Sequence, residues 1–97
     1  MANKTQPNPN TRFEYLDRAA VTVADRGDQY GTVAENFERT ANIWSAILGA
    51  QVTAQQVALC LIGLKVARLT YDPDSVDGWV DVAGYAACGG EVSNQNE

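Results

Sequence analysis

Two cations in an apolar helix are the residues of this sequence best suited to chemistry. Lys65 and Arg68 are the only charged residues in the run TAQQVALCLIGLKVARL, residues 53–69. A spacing of three places both side chains on one helical face. A helix that is apolar nearly all round is usually buried, and a buried charge needs a partner. The sequence offers two kinds of partner: the carboxylates of Asp77 and Asp81, or an anionic ligand.

The carboxylates belong to a polar stripe on the next helix. Asp77, Asp81 and Tyr85 recur every four residues, so they share one face. A short connection favours antiparallel pairing, which brings this stripe beside the end of the preceding helix. An ion pair of Arg68 with Asp77 or Asp81 is one interpretation, and a ligand site is the other. Both hold if Asp81 orients Lys65 or Arg68 toward a ligand.

A second candidate site lies at the segment 26–31, which is predicted to be a turn. Arg26 supplies a charge, Tyr30 supplies an aromatic face, and the following helix begins with backbone N–H groups that suit a phosphate. Asn36 is disfavoured inside a helix, so we expect it to make a specific hydrogen bond, either to a ligand or to a loop. Trp79 lies off the polar and apolar stripes of its helix, and we expect it to form either a subunit contact or a base-stacking surface. The alternative for the turn is an ordinary helix–helix corner.

A metal site is the remaining possibility. Glu35 and Glu38 form a Glu-x-x-Glu pair which, with Asp77 and Asp81, offers oxygen ligands for Mg²⁺. Glu35 is already explained by a helix cap. The chain has no histidine, which removes Ser–His and Cys–His nucleophile pairs, and it also has no cysteine cluster, which argues against a zinc site. We predict no catalytic residue and no bound cofactor.

Four helices must position these side chains. They are predicted over residues 12–25, 33–48, 53–69 and 76–87. Thr11, Thr32 and Thr53 each begin a Thr-x-x-Glu or Thr-x-x-Gln capping box. Glycines end the first, second and fourth helices, and the third ends before Asp72-Pro73. No segment alternates with the period of a strand. The predicted fold is all-α, a compact bundle of four helices in one domain, residues 11–92, between disordered tails at residues 1–10 and 93–97.

Composition narrows the class of protein. Of 97 residues, 45% are hydrophobic, a surplus for this size that predicts a homo-oligomer, a dimer or a tetramer. The net charge of −5 argues against binding duplex nucleic acid. No apolar run reaches the ~20 residues of a membrane span, and the polar start lacks a signal peptide. Cys60 and Cys88 are therefore predicted to be reduced packing cysteines of a cytoplasmic protein.

The order of these motifs resembles a family of small helical proteins of phages and prophages. The resemblance covers about residues 23–91 and rests on Arg26-x-x-x-Tyr30-Gly31, Asn36-Phe37, Trp44, Lys65-x-x-Arg68, Asp77-x-x-x-Asp81 and Gly84-Tyr85. That family looks distantly similar to the all-α nucleotide pyrophosphohydrolases of the MazG type. Those enzymes hold Mg²⁺ with two Glu-x-x-Glu/Asp pairs on adjacent helices. This chain departs from the pattern, because its third helix has cations where the second pair is expected.

Cations in place of the second carboxylate pair favour binding of phosphate over assembly of a metal centre. In size and style the chain is similar to phage anti-CBASS sponge proteins, which sequester cyclic nucleotide immune signals. The resemblance thus implies a phage immune-evasion protein that binds a cyclic dinucleotide, or a related nucleotide, without cleaving it in the cytoplasm of the infected bacterial host. The expected ligand-binding residues are Arg26, Tyr30, Asn36, Lys65, Arg68, Trp79, Asp81 and Tyr85.

Each of these residues has an expected role. The three cations contact phosphates, Asn36 and Asp81 hydrogen-bond or orient, and the aromatic side chains stack on bases. One alternative function is a Mg²⁺-dependent pyrophosphohydrolase using Glu35, Glu38, Asp77 and Asp81. The other is a structural or regulatory phage protein with a salt-bridged core.

Overall fold

The computed structural model describes residues 8–94, and this part of the chain folds into four α-helices. They are α1 (Arg12–Tyr30), α2 (Val33–Leu48), α3 (Ala54–Tyr71) and α4 (Val76–Asn94). The all-α prediction of four helices is confirmed, and α2 has the predicted bounds. Residues 1–7 and 95–97, which hold most of the two predicted tails, lie outside the described residues.

The helix starts follow from local hydrogen bonds that the sequence specifies. The side chains of Thr11, Thr32 and Thr53 each accept a hydrogen bond from the backbone N–H three residues later. The side chain at that later position accepts a hydrogen bond from the threonine's own backbone N–H. All three predicted capping boxes are therefore present. Ser75 caps α4, because its Oγ accepts the N–H of Gly78 at 3.1 Å. These bonds satisfy N–H groups that have no partner within the helix itself.

The predicted end of the first helix is wrong. Residues 26–30 continue α1 and do not form a turn, because Gly27 stays helical. The chain leaves the helix only at Gly31, whose φ of +88° is open to glycine but strained for other residues. Arg26 and Tyr30 are consequently held on a rigid helix.

The predicted end of the fourth helix is also wrong. Gly89 and Gly90 lie inside α4, which extends through Ser93 to Asn94, so the predicted C-terminal tail begins within this helix. Neither glycine has a positive φ. A Cβ on Gly89 would lie 3.0 Å from the Ala58 Cβ. This glycine therefore allows close approach of α3 and α4 and does not terminate a helix.

The helices α3 and α4 form an antiparallel pair on which the other two pack. Contacts join Lys65 to Asp81, and Gln55 to Ser93 farther along, which is the antiparallel register expected from the sequence. Helix α2 packs on both members of the pair, and α1 packs mainly on α4. The central core consists of Phe37, Ala41, Ala54, Val57, Ala58 and Val92.

Helix α3 is buried on one side only. Leu59 is 66% exposed and Val66 is 47% exposed, so the expectation that this apolar helix is buried nearly all round is wrong within one chain. Its buried side faces α2 and α4 through Ala54, Val57 and Ala58. Among the helices of residues 8–94, none is both long enough and apolar enough to cross a membrane.

Candidate functional site

A cavity of about 150 Å³ lies between α1, α2 and α4, with Leu61 of α3 contributing to its wall. Most of the wall is apolar and includes Val23, Phe37 and Val80. Of the predicted binding residues, the fold brings five to this cavity: Arg26, Tyr30, Asn36, Asp81 and Tyr85. Three separate helices supply them, so the two candidate regions of the sequence meet in one place.

Three polar side chains at the cavity have unused hydrogen-bonding capacity. The Arg26 guanidinium, the Asn36 amide and the Tyr85 hydroxyl make no hydrogen bond or ion pair to any other residue of the described range 8–94. Asn36 and Tyr85 are half-buried, and Arg26 is exposed. An apolar cavity with a few converging polar groups is the usual form of a small-molecule site.

Tyr30 forms part of the cavity rim. Its side chain is 53% exposed, and its carbonyl oxygen accepts a hydrogen bond of 3.0 Å from Nη2 of Arg39 on α2. This bond joins the end of α1 to α2 across the short connection that contains Gly31 and Thr32. The ring is therefore presented at the mouth of the cavity and is not part of the core.

Lys65 reaches the site through an ion pair. Its Nζ lies 2.8 Å from Oδ2 of Asp81, and both side chains are largely buried, with 18% and 17% exposed. The pair that closes the bundle is thus Lys65–Asp81. Lys65 neutralises one wall of the cavity, and Arg26 is left as the cation of that cavity.

Arg68 lies at a different place. It lines a separate cleft at the α3–α4 end, together with Lys65, Asp72 and Asp77. Within residues 8–94 no ion pair joins Arg68 to Asp77 or Asp81, so the predicted Arg68 salt bridge is not formed. The two cations of α3 therefore share this cleft, but only Lys65 is ion-paired with a residue of the cavity, Asp81.

Trp79 is also remote from the cavity. Its Nε1 donates a hydrogen bond of 2.8 Å to the carbonyl oxygen of Pro73, and its ring lies with Arg12, Tyr15 and Leu16 of α1. The indole is 49% exposed. Its predicted stacking role at the ligand site is not supported by this position.

The alternative metal ligands do not form a group. Glu35 is used in the capping box of α2, Glu38 is exposed, and Asp81 is paired with Lys65. Within the described residues, no three Asp, Glu, His or Cys side chains converge on one point. The carboxylates of Glu35, Glu38, Asp77 and Asp81 are thus spread over different parts of the chain.

Cys88 is a cavity residue that the sequence interpretation missed as a site residue. Burial raises the pKa of its thiol, Glu91 raises it further, and the charge of Arg26 lowers it. A thiol with a raised pKa is a poor nucleophile at neutral pH, so the cavity is better suited to binding than to covalent chemistry. The available signal was its helical spacing from Asp81 and Tyr85.

Thr22 was missed for a different reason. It lines the cavity from α1 while its hydroxyl donates to the carbonyl oxygen of Arg18 at 3.1 Å. Its place at the cavity depends on how α1 packs against α2 and α4, which no spacing in the sequence specifies. The described residues thus form a small all-α domain with an apolar cavity that has polar side chains in its lining.

The chain belongs to the family described as a domain of unknown function (DUF6378), whose model matches residues 14–93. It is 42% identical over 62 residues to the Gene 55 protein of Mycobacterium phage L5, covering 63% of this chain and 40% of that protein. It is 34% identical over 64 residues to the Gene 55 protein of Mycobacterium phage D29, covering 66% of this chain and 42% of that protein.

These matches confirm the predicted similarity to phage proteins. In both cases the aligned part of the chain spans about two fifths of the relative's length. No solved structure matches the chain.

Proposed function

We propose that this protein binds a nucleotide in the cavity between α1, α2 and α4 and holds it without cleaving it. The observation that supports this function is the convergence of Arg26, Asn36 and Tyr85, whose side chains are unpaired within residues 8–94, on one apolar cavity. An arginine binds phosphate, an amide reads a base edge, and an aromatic ring stacks on a base. The clefts lined by Arg68 and by Arg12 do not combine these three groups.

The size of the cavity defines how such a ligand sits. A volume of about 150 Å³ resembles that of an engineered protein cavity that takes up benzene, so it holds about one aromatic ring. A base enters between Phe37 and Tyr85, and the phosphate stays at the mouth near Arg26. In a cyclic dinucleotide the second base lies outside this cavity.

The leading ligand is a cyclic dinucleotide or a related nucleotide signal, sequestered in the cytoplasm of an infected bacterium. The similarity to phage proteins supports a protein that a phage produces during infection. The resemblance to sponge proteins suggests the immune signal as the ligand. Sequestration without cleavage fits a site whose carboxylates do not converge and whose nearest one, Asp81, is neutralised by Lys65.

Ligand binding to matched variants tests the proposal. The purified chain is titrated calorimetrically with cyclic dinucleotides and nucleoside triphosphates, and the ligand is then recovered after heat denaturation. Arg26→Gln removes a charge-assisted hydrogen bond worth roughly 1.5–3 kcal/mol, so we expect about 10–100-fold weaker binding. Arg68→Gln, which removes another exposed cation from the separate cleft, is the matched control and should leave the affinity within about twofold.

The recovered ligand separates the alternatives. Intact nucleotide supports sequestration, whereas Mg²⁺-dependent conversion to a monophosphate contradicts it and favours the pyrophosphohydrolase. Equal loss of affinity in the two arginine variants also contradicts the cavity site.

A structural or regulatory phage protein is the second candidate. The Lys65–Asp81 pair supports it, because Lys65 is neutralised within the fold and needs no ligand. The absence of binding to every nucleotide tested is the result expected for this candidate.

A further inference from the structure

The outward side of α3 has no charged residue although it faces solvent. We call it the outer face of α3, formed by Leu59, Cys60, Gly63, Val66 and Ala67. The two charged residues of this helix, Lys65 and Arg68, both line clefts on the side toward α4. A surface helix ordinarily places its polar and charged residues toward solvent. Helix α3 has the reverse arrangement, because its charged residues face α4 and its outward side is uncharged.

Gly63 lies at the centre of the outer face and packs against no side chain within residues 8–94. A Cβ placed there meets no atom of the described residues within 4 Å, and its φ is not positive. A glycine inside a helix is unfavourable relative to alanine. Its use here is explained if another backbone approaches closely at this point, since only glycine leaves room for that approach.

The order of residues around Gly63 indicates which molecule approaches. In an antiparallel helix pair with a two-fold axis at Gly63, residues equally far before and after it face each other. Leu59 then meets Ala67 of the second copy, and Cys60 meets Val66, so a large side chain is opposite a small one in each case. The outer face is therefore complementary to itself.

The polar ends of the same face also match. Gln56 and Thr70 are both seven residues from Gly63, so they face each other in this register. The Gln56 Oε1 already accepts the Thr53 N–H, which leaves its NH₂ free to donate. The Thr70 hydroxyl donates to the Ala67 carbonyl oxygen and can still accept a hydrogen bond.

We infer that two copies of this chain associate through the outer faces of α3, packed antiparallel around a two-fold axis at Gly63. Charge supports a second copy over a charged partner. The outer face offers no ion pair to a charged partner, and contact between two uncharged faces brings no like charges directly together, although each copy has a net charge of −5. This inference is independent of the nucleotide proposal, because it uses no residue of the cavity.

Sedimentation velocity over a range of protein concentrations tests the inference. The wild-type chain should sediment as a dimer, and Gly63→Glu should dissociate it by weakening the association on the order of 100-fold or more, since it buries an unpaired charge at the axis. Gly90→Glu is the matched control, because Gly90 is also a helical, exposed glycine with nothing within 4 Å, and it should leave the dimer intact. Circular dichroism should show the same helix content for both variants.

A disulfide tests the position of the axis. In a background with Cys60→Ser and Cys88→Ser, Gly63→Cys should form a covalent dimer on mild oxidation, and Gly90→Cys should not. A wild-type monomer at all concentrations overturns the inference, and so does a dimer that survives Gly63→Glu. Equal crosslinking at both cysteines overturns the proposed axis.

Discussion

The ion pair between Lys65 and Asp81 gives the sharpest prediction for the stability of the fold. Its two side chains retain less than a fifth of their exposure, and the charged atoms lie 2.8 Å apart. Asp81→Ala leaves the Lys65 ammonium without this partner and still largely out of water. We expect the variant to be clearly less stable than the wild type, with no change in helix content at low temperature.

The magnitude follows from the geometry. Two unit charges 2.8 Å apart attract each other by about 6 kcal/mol at an effective dielectric constant of about 20. Most of that attraction offsets the loss of hydration, so the intact pair contributes little net stability. Removing one partner of a fully buried pair costs roughly 3–5 kcal/mol, and the remaining exposure reduces this to about 2–3 kcal/mol. In a domain of this size, that loss lowers Tm by roughly 10–20 °C.

A double-mutant cycle measured by urea unfolding checks the reasoning. Asp81→Ala, Lys65→Met and the double variant are compared, and the double variant should be more stable than the sum of the single losses predicts, by more than about 1 kcal/mol. Arg68→Met is the control from the same helix and should change stability by less than about 0.5 kcal/mol. A coupling below about 0.5 kcal/mol refutes the argument, because it is the value of an exposed surface pair.

Two further predictions concern glycine packing and the Cys88 thiol. Gly78→Ala should lower the free energy of unfolding by about 1–3 kcal/mol, because its Cβ would lie 2.7 Å from Leu69 Cδ2. Gly90→Ala places its Cβ in open space and should raise the free energy of unfolding by up to about 1 kcal/mol. Urea unfolding measures both changes. Arg26→Gln should raise the pKa of Cys88 further, because it removes the charge that lowers it, so alkylation of this thiol should slow at a given alkaline pH. Since burial raises that pKa above its unfolded value, the thiol's contribution to stability is full below the unfolded pKa and is lost as the pH rises through the folded one. Unchanged alkylation in the arginine variant would show that the two groups are not coupled.

Helix starts were predictable from the sequence, whereas two of the helix ends were not. A capping box is a local pattern of hydrogen bonds, so Thr32 and Glu35 specify the start of α2 without reference to the rest of the chain. A glycine is ambiguous, because it either ends a helix with positive φ or allows close packing inside one. Gly31 and Gly49 do the first, and Gly89 does the second. Only the position of a neighbouring helix distinguishes these uses.

The candidate site could be predicted in part for the same reason. Asp81 and Tyr85 are one helical turn apart, so their shared face is a local property of α4. Their meeting with Arg26 and Asn36 depends on how α1 and α2 pack on α4, which no spacing in the sequence specifies. Trp79 illustrates the limit, because it is two residues from Asp81 and yet faces α1 on another side of the helix.

The two cations of α3 also show why a charge in an apolar run is an ambiguous signal. Lys65 is neutralised by Asp81, so its burial requires no ligand, and Arg68 is exposed in a separate cleft, so it is not buried at all. The cation that faces the cavity without an ion pair among the described residues is Arg26, which belongs to a helix of ordinary amphipathic character. Under the proposed function, recognition of an anion depends on Arg26, while Lys65 serves it indirectly by pairing with Asp81 at the cavity wall. An affinity that depends on Arg26 and a stability that depends on Lys65 are consequently separable by measurement.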